Sequence, residues 1–106
     1  LSWAFAALRV KHNPKRIISC LRALELEGDA EWREEFLLGL AYLADGRLEA
    51  AHRAFQKGVE LSAKFSETAR ERFLRDNGAL FEEYLADETL KAEFAPYLEQ
   101  IAAPAA

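Results

Sequence analysis

Apolar residues recur at helical spacing along almost the whole chain, and polar turn or capping residues separate the apolar stretches. No stretch alternates apolar and polar residues in the way a half-buried strand does. The pattern predicts an all-α protein. The predicted helices cover residues 1–11, 14–27, 30–44, 47–62, 67–86 and 88–101.

The helix boundaries rest on local signals. Asn13-Pro14 is a start signal, because the Asn side chain accepts from a free N–H group and Pro has no N–H to lose. Ser66 and Asp87 are predicted to cap the last two helices in the same way. Gly28 ends the helix before it, and Asp45-Gly46 marks a turn.

The last two helical stretches each contain residues that usually interrupt a helix. Asn77-Gly78 alone suggests a turn, yet the apolar stripe keeps its phase across it. We favour a continuous helix in which Gly78 allows close backbone approach; a break at this point is the alternative. Pro96 is expected to kink or restart the last helix.

The chain overlaps itself without a gap when it is shifted by 35 residues. Residues 1–8 then fall on 36–43, and residues 22–26 fall on 57–61, with large residues meeting large ones. A period of this length is typical of stacked supersecondary units that cannot bury their apolar faces alone. It favours a binding scaffold over an enzyme.

The second period carries a recognisable motif. It reads Leu38-Gly39-x2-Tyr42, then Gly46 at the turn, then Ala51-x3-Phe55. This motif resembles the tetratricopeptide repeat, a helix–turn–helix unit of about 34 residues. Two places depart from the family pattern, since Glu35 stands at the usual Trp and Ala63 at the closing Pro.

The resemblance implies a right-handed α-solenoid of about three antiparallel helix hairpins. The chain 1–106 would be one domain, with a first repeat at about 1–28 that is truncated at its start and a second at about 30–63. A degenerate third unit or cap would follow at about 66–101, and we expect the whole to be a piece of a longer protein.

The resemblance also assigns roles to individual residues. Gly39 would let the two helices of a hairpin cross closely while large side chains fill the space between them. The repeat-packing residues would be Trp3, Leu38, Gly39, Tyr42, Ala51 and Phe55. The family binds peptides in a concave groove, and the groove residues would be Phe5, Leu8, Arg33, Phe36, Leu40 and Leu43.

The apolar character of these groove positions suggests a partner. An apolar groove fits a helical or hydrophobic segment of another protein or peptide. In the alternative interpretation, the third unit or sequence outside these residues already fills the groove. A self-association or linker domain, or an accessory domain of a larger enzyme, are the other functions left open.

Charge is distributed unevenly along the chain. Residues 1–22 carry five basic residues and no acid, a net +5, whereas residues 76–106 carry seven acids against Lys91, a net −6. Solvated helix faces explain this adequately. The alternative is head-to-tail contact between copies, which would give a weak homo-oligomer.

Little in the sequence suggests reaction chemistry. His12 and His52 have no metal ligand at helical spacing, and the pairs Glu34-Glu35 and Glu82-Glu83 are interpreted as solvated faces. We expect no catalytic residue, metal site or cofactor. Net charge of −4 argues against a nucleic acid partner, and no apolar run has the length of a membrane span. The single cysteine suits a reducing compartment such as the cytoplasm.

Overall fold

The structure, a computed structural model, describes residues 14–28 and 31–102. These residues form five α-helices, and within the same two ranges there is no β-strand. The helices are α1 (Pro14–Leu26), α2 (Trp32–Ala44), α3 (Leu48–Ser62), α4 (Glu67–Tyr84) and α5 (Glu88–Ala102). The predicted all-α class is confirmed. The predicted helix over residues 1–11 lies outside the described residues.

Side-chain caps begin the last two helices, as the sequence predicts. The Ser66 hydroxyl accepts a hydrogen bond from the Ala69 N–H at 3.2 Å. One oxygen of Asp87 accepts from the N–H groups of Thr89 and Leu90 at 2.9 and 3.1 Å. These bonds satisfy N–H groups that have no carbonyl partner in the first turn of a helix.

Glycine provides a left-handed backbone at two turns. Gly28 follows α1 with φ of 79°, and Gly46 lies between α2 and α3 with φ of 76°. Side chains other than glycine are strained in this region, so both turns depend on the residue found there. Both positions were predicted as helix ends or turns.

Helix α2 lies at the centre of the molecule. It packs against α1, α3 and α4, while α5 packs against α3 and α4. Every residue from Glu34 to Leu43 is buried, as expected for a helix that is apolar almost all round. Along the described part of the chain, each helix is too short or too polar to cross a lipid bilayer.

The Phe36 ring lies at the centre of an aromatic cluster that joins α2 to α3 and α4. Its side chain is completely buried. Its ring centroid is 5.5 Å from that of Phe55, 5.8 Å from Phe73, 6.2 Å from Trp32 and 6.5 Å from Phe81. Edge-to-face and tilted aromatic pairs at these distances add to the stabilisation from burial.

The α2–α3 hairpin closes through two reciprocal contacts between a ring and a glycine. A Cβ atom at Gly39 would lie 2.9 Å from the Phe55 ring, and one at Gly58 would lie 2.7 Å from the Phe36 ring. Each ring therefore occupies the space that a side chain would need. The sequence suggested such a contact at Gly39, whereas the same role of Gly58 was not predicted.

Helix α4 is continuous through Asn77-Gly78, as favoured from the sequence. The buried Asn77 amide remains compatible with the helix because it donates a hydrogen bond to the Phe73 carbonyl at 2.9 Å. The reason offered for Gly78 is wrong, because a Cβ atom there would have no neighbour within 4 Å. Helix α5 likewise continues through Pro96.

Candidate functional site

We consider two of the surface openings among the described residues as candidates for binding. The first, which we call the polar cleft, has a volume of about 280 Å³ and lies between α1, α2 and α3. Its polar residues are Arg22, Glu25, Glu35, Tyr42, Arg53 and Lys57. The second, the α4–α5 groove, has a volume of about 320 Å³. Its apolar residues include Leu74, Gly78, Phe81, Leu85, Ala95 and Leu98.

Glu35 is the most deeply buried group of the polar cleft. Its exposed fraction is 1 %, and neither carboxylate oxygen accepts a hydrogen bond from a donor. The Lys57 ammonium lies 3.8 Å from Glu35 Oε1 and 3.4 Å from Glu25 Oε2. One cation is thus shared between two carboxylates on different helices.

Arg22 ties α1 to α2 at the edge of the polar cleft. Its Nη1 donates a hydrogen bond to the Tyr42 hydroxyl at 3.1 Å, and its Nε lies 3.6 Å from Glu25 Oε1. The hydrogen bond to Tyr42 raises the pKa of Arg22 above its ordinary value. Arg22 therefore stays charged and is engaged by α1 and α2 together.

The two carboxyl groups of the polar cleft titrate at different pH values. Burial, followed by the approach of Glu25, raises the pKa of Glu35 to about 7. Hydrogen bonding with Glu35, followed by the charge of Lys57, lowers the pKa of Glu25. A proton held on Glu35 joins the two carboxyl groups, which would otherwise repel each other.

The interpretation of Glu34-Glu35 as a solvated face is wrong. Both residues are buried, with 8 % and 1 % of their surface exposed. Burial also raises the pKa of Glu34. The physical reason is that three helices surround α2, so even its polar positions face protein instead of water.

The raised pKa of Glu35 makes the folded state less stable as the pH rises. The folded chain keeps this proton up to about pH 7, whereas the unfolded chain loses it near 4.5. Between these values the folded state binds the additional proton, so the free energy of unfolding falls with increasing pH. We expect Glu35→Gln to remove most of this fall and to raise the free energy of unfolding by about 1–3 kcal/mol at pH 8.

Urea denaturation between pH 5 and pH 8 measures this effect. The control is Glu60→Gln, which changes an exposed carboxylate of α3 and should leave the slope intact. Glu25 does not affect this measurement. Its pKa is lowered in the folded state, so the stability that its charge contributes is lost only when the pH falls below about 4.5. If the free energy of unfolding depended on pH in the same way in the parent and in Glu35→Gln, Glu35 would not be the group that holds this proton.

The α4–α5 groove differs in character from the polar cleft. Phe81 and Leu85 are buried at its base, while Leu74 and Leu98 are half-buried along its sides. Gly78 leaves the α4 wall without a side chain, since no atom lies within 4 Å of its Cβ position. The groove is therefore an open apolar depression whose rim carries Glu82, Glu88 and Lys91.

His52 forms a polar link between α3 and α5. Its Nδ1 shares a hydrogen bond with the Tyr97 hydroxyl at 2.7 Å, and its Nε2 lies 3.5 Å from Glu93 Oε1. The imidazole also stacks on Phe94 with 4.3 Å between ring centroids. These contacts give His52 a structural role. In the described ranges, no three His, Cys, Asp or Glu side chains come together as metal ligands.

The residues expected to line a concave groove on α2 lie mostly in the core. Phe36 and Leu40 have no exposed surface, and Leu43 has 9 %. Arg33 is half-buried, with its guanidinium 5.1 Å from the centre of the Trp32 ring. The neighbouring helices cover Phe36 and Leu40, whereas Leu43 borders an opening of about 310 Å³ that Pro14, Ala44, Glu83 and Tyr84 also line. Phe5 and Leu8 lie outside the described residues.

The residues expected to pack the repeat lie together between α2 and α3. The side chains of Leu38, Tyr42, Ala51 and Phe55 are each at most 3 % exposed. Tyr42 has a second function that the sequence did not predict, because its hydroxyl accepts from Arg22 and borders the polar cleft. Trp3 lies outside the described residues.

Neither opening was predicted from the sequence. A signal for the polar cleft was present in Glu35, a charged residue in a helix that is otherwise apolar almost all round. The α4–α5 groove had a weaker signal, since Gly78 is a small residue at helical spacing from the apolar residues Leu74, Phe81 and Leu85. The chain matches no family model, no curated protein and no solved structure.

Proposed function

We propose that this chain is a protein-interaction module whose α4–α5 groove binds an apolar, helical segment of a partner protein. The observation that carries the proposal is the open apolar depression at Gly78. A volume of about 320 Å³ lies at the lower end of the range found for binding pockets. Apolar depressions of this kind are typical of helix-in-groove recognition.

The shape of the groove favours a helix with regularly spaced large residues. Phe81 and Leu85 provide the base, and Leu74 and Leu98 provide the sides. The missing side chain at Gly78 leaves room for one large apolar residue of the partner. A helix that presents leucines at positions i, i+3, i+4 and i+7 would place successive side chains along such a groove.

The charge around the groove favours a basic partner. Glu82 and Glu88 lie at the rim against Lys91 alone, and residues 76–106 carry a net charge of −6. Complementary charges speed association and exclude like-charged competitors. The proposed occupant is therefore an amphipathic segment with Lys or Arg beside its apolar face.

The helix order supports a stack like that of tetratricopeptide repeats as the architecture of this module. The α2–α3 and α4–α5 pairs form two successive hairpins, in which the first helices contact each other and the second helices contact each other. Stacked repeats bury their faces against neighbours in this manner. We place the binding groove in the last hairpin instead of on α2, because Phe36 and Leu40 at the centre of the α2 face are completely buried.

Replacing Gly78 by Leu should block binding without unfolding the chain. The new side chain extends from a position with no neighbour within 4 Å and occupies the α4–α5 groove. Fluorescence anisotropy with a labelled amphipathic peptide of leucines and lysines should show saturable binding to the parent and at least tenfold weaker binding to the variant. A peptide with glutamates in place of the lysines should bind less tightly.

Ala79→Leu is the matched control, because it adds the same side chain at the next, exposed position of α4. It should leave peptide binding unchanged. Equal binding by the parent and Gly78→Leu, or equal binding of the basic and acidic peptides, would count against this groove. Sedimentation of the parent alone tests the competing occupant, a second copy of the chain.

A further inference from the structure

We propose that the polar cleft binds a carboxylate group, from a short aliphatic acid or from the C terminus of another polypeptide, with Arg53 as its principal cation. This site is separate from the α4–α5 groove and does not depend on the proposed function. Three features of the cleft support it: an excess of positive charge, two donor groups without an acceptor, and an apolar wall.

The charges that line the polar cleft do not cancel. Arg22, Arg53 and Lys57 contribute three positive charges, and Glu25 contributes one negative charge. Glu35 adds no charge while it holds its proton, so the lining then has an excess of two positive charges. A concave surface with an excess of one sign of charge attracts ligands of the opposite sign.

The ionised carboxylate of Glu25 does not take up this excess. Its Oε1 lies 3.6 Å from Arg22 Nε, and its Oε2 lies 3.4 Å from Lys57 Nζ. Glu25 is therefore neutralised by two cations that it holds in place. Arg53 is exposed and, among the described residues, has neither an ion pair nor a hydrogen bond. Its guanidinium is the cation that remains for a ligand.

The Tyr42 hydroxyl is a second donor for a ligand in the cleft. It accepts a hydrogen bond from Arg22 at 3.1 Å, but within the described ranges no group accepts its own hydrogen. The Tyr42 side chain is buried and borders the cleft, so its hydroxyl is held in position. Arg53 and Tyr42 together match the two oxygens of a carboxylate, whereas a phosphate would keep a third oxygen without a partner.

The remaining lining suits the carbon chain next to such a carboxylate. Leu38, Ala50 and Ala54 provide an apolar wall. Ala50 and Ala54 lie on the same face of α3 as Arg53, because residues three and four apart are neighbours on a helix. A volume of about 280 Å³ accommodates a chain of a few carbon atoms along this wall.

Binding should be tighter when Glu35 is protonated. The charged and titratable groups around Glu35 are Arg22 and Glu25 from α1, Glu34 and Tyr42 from α2, and Arg53 and Lys57 from α3. Loss of the Glu35 proton adds a second negative charge to the cleft and weakens its attraction for an anion. With a pKa of about 7 for Glu35, a ligand that binds only the protonated form would bind about tenfold more tightly at pH 6 than at pH 8.

The test is a titration of the full chain with sodium butyrate at constant ionic strength, followed by amide chemical shifts at pH 6 and pH 8. We expect saturable shifts in the cleft region of α1, α2 and α3, with tighter binding at pH 6. Arg53→Gln should weaken binding about tenfold, as expected for the loss of one charge-assisted hydrogen bond. Arg72→Gln is the matched control, because it removes an exposed arginine of α4 that does not line the cleft, and it should leave binding unchanged.

Glu35→Gln provides a second readout, which a general attraction of anions to the surface would not give. It keeps residue 35 neutral at every pH, so butyrate should bind this variant at pH 8 as tightly as it binds the parent at pH 6. Tighter binding of N-acetyl-trialanine than of butyrate would identify a polypeptide C terminus as the source of the carboxylate, and the reverse would identify a small acid.

Three results would overturn the proposal. The first is no saturable shift with either probe. The second is equal binding by the parent and by Arg53→Gln, whose fold is verified by its helix content. The third is tighter binding of inorganic phosphate than of butyrate, which would make the cleft a phosphate site.

Discussion

Phe36→Ala is expected to lower the free energy of unfolding by about 3–5 kcal/mol, the range for deleting a buried aromatic side chain. The ring has no exposed surface and contacts aromatic residues of α2, α3 and α4. Its removal leaves a cavity at the point where three helices meet. A protein of this size has about 5–15 kcal/mol of stability in all, so the variant should unfold at much lower urea concentration.

Phe65→Ala is the matched control for this prediction. The Phe65 ring also contacts Trp32, with 5.8 Å between centroids, but 45 % of its surface is exposed. Its loss should cost about 1 kcal/mol or less. A Phe36→Ala variant that kept the parent's stability but lost a partner would restore the interpretation of Phe36 as a groove residue.

Gly58→Leu is expected to destabilise the chain by about 1–3 kcal/mol or more, although leucine favours helices more than glycine does. Even a Cβ atom at Gly58 would lie 2.7 Å from the Phe36 ring. That ring is fully buried and contacts four other aromatic rings. Gly39→Leu should act in the same direction against Phe55, whose ring is 2.9 Å from the Cβ position.

Gly78→Leu separates overpacking from helix propensity, because it makes the same substitution in α4 where no atom is near. Here the gain in helix propensity should dominate, and stability should rise by about 0.5–1 kcal/mol. Thermal or urea unfolding of the three variants is the measurement. Similar stabilities for Gly58→Leu and Gly78→Leu would remove the packing role assigned to Gly58.

The helix boundaries could be predicted because they depend on local chemistry. Ser66 and Asp87 cap the helices they precede, and Gly28 and Gly46 end or turn them, regardless of what packs nearby. The close crossing at Gly39 was also accessible, because the motif around it resembles a repeat with a known hairpin geometry.

The sites could not be predicted because they depend on which helices meet. Glu35 becomes a buried acid only when α1 and α3 cover α2 and bring Glu25 and Lys57 to it from distant parts of the sequence. The same covering places Leu40 in the core instead of in a groove. The prediction for Gly78 failed in the opposite direction. Its backbone was expected to contact another helix closely, but it borders an open depression.

The reciprocal fit between rings and glycines also restricts how this sequence can change over evolutionary time. Phe36 can be exchanged for a smaller residue with little cost only if Gly58 gains volume, and Phe55 is coupled to Gly39 in the same way. Each single step along such a path passes through an intermediate with either a cavity or an overlap. The two pairs should therefore be inherited as units, so that related chains vary in both members together or in neither.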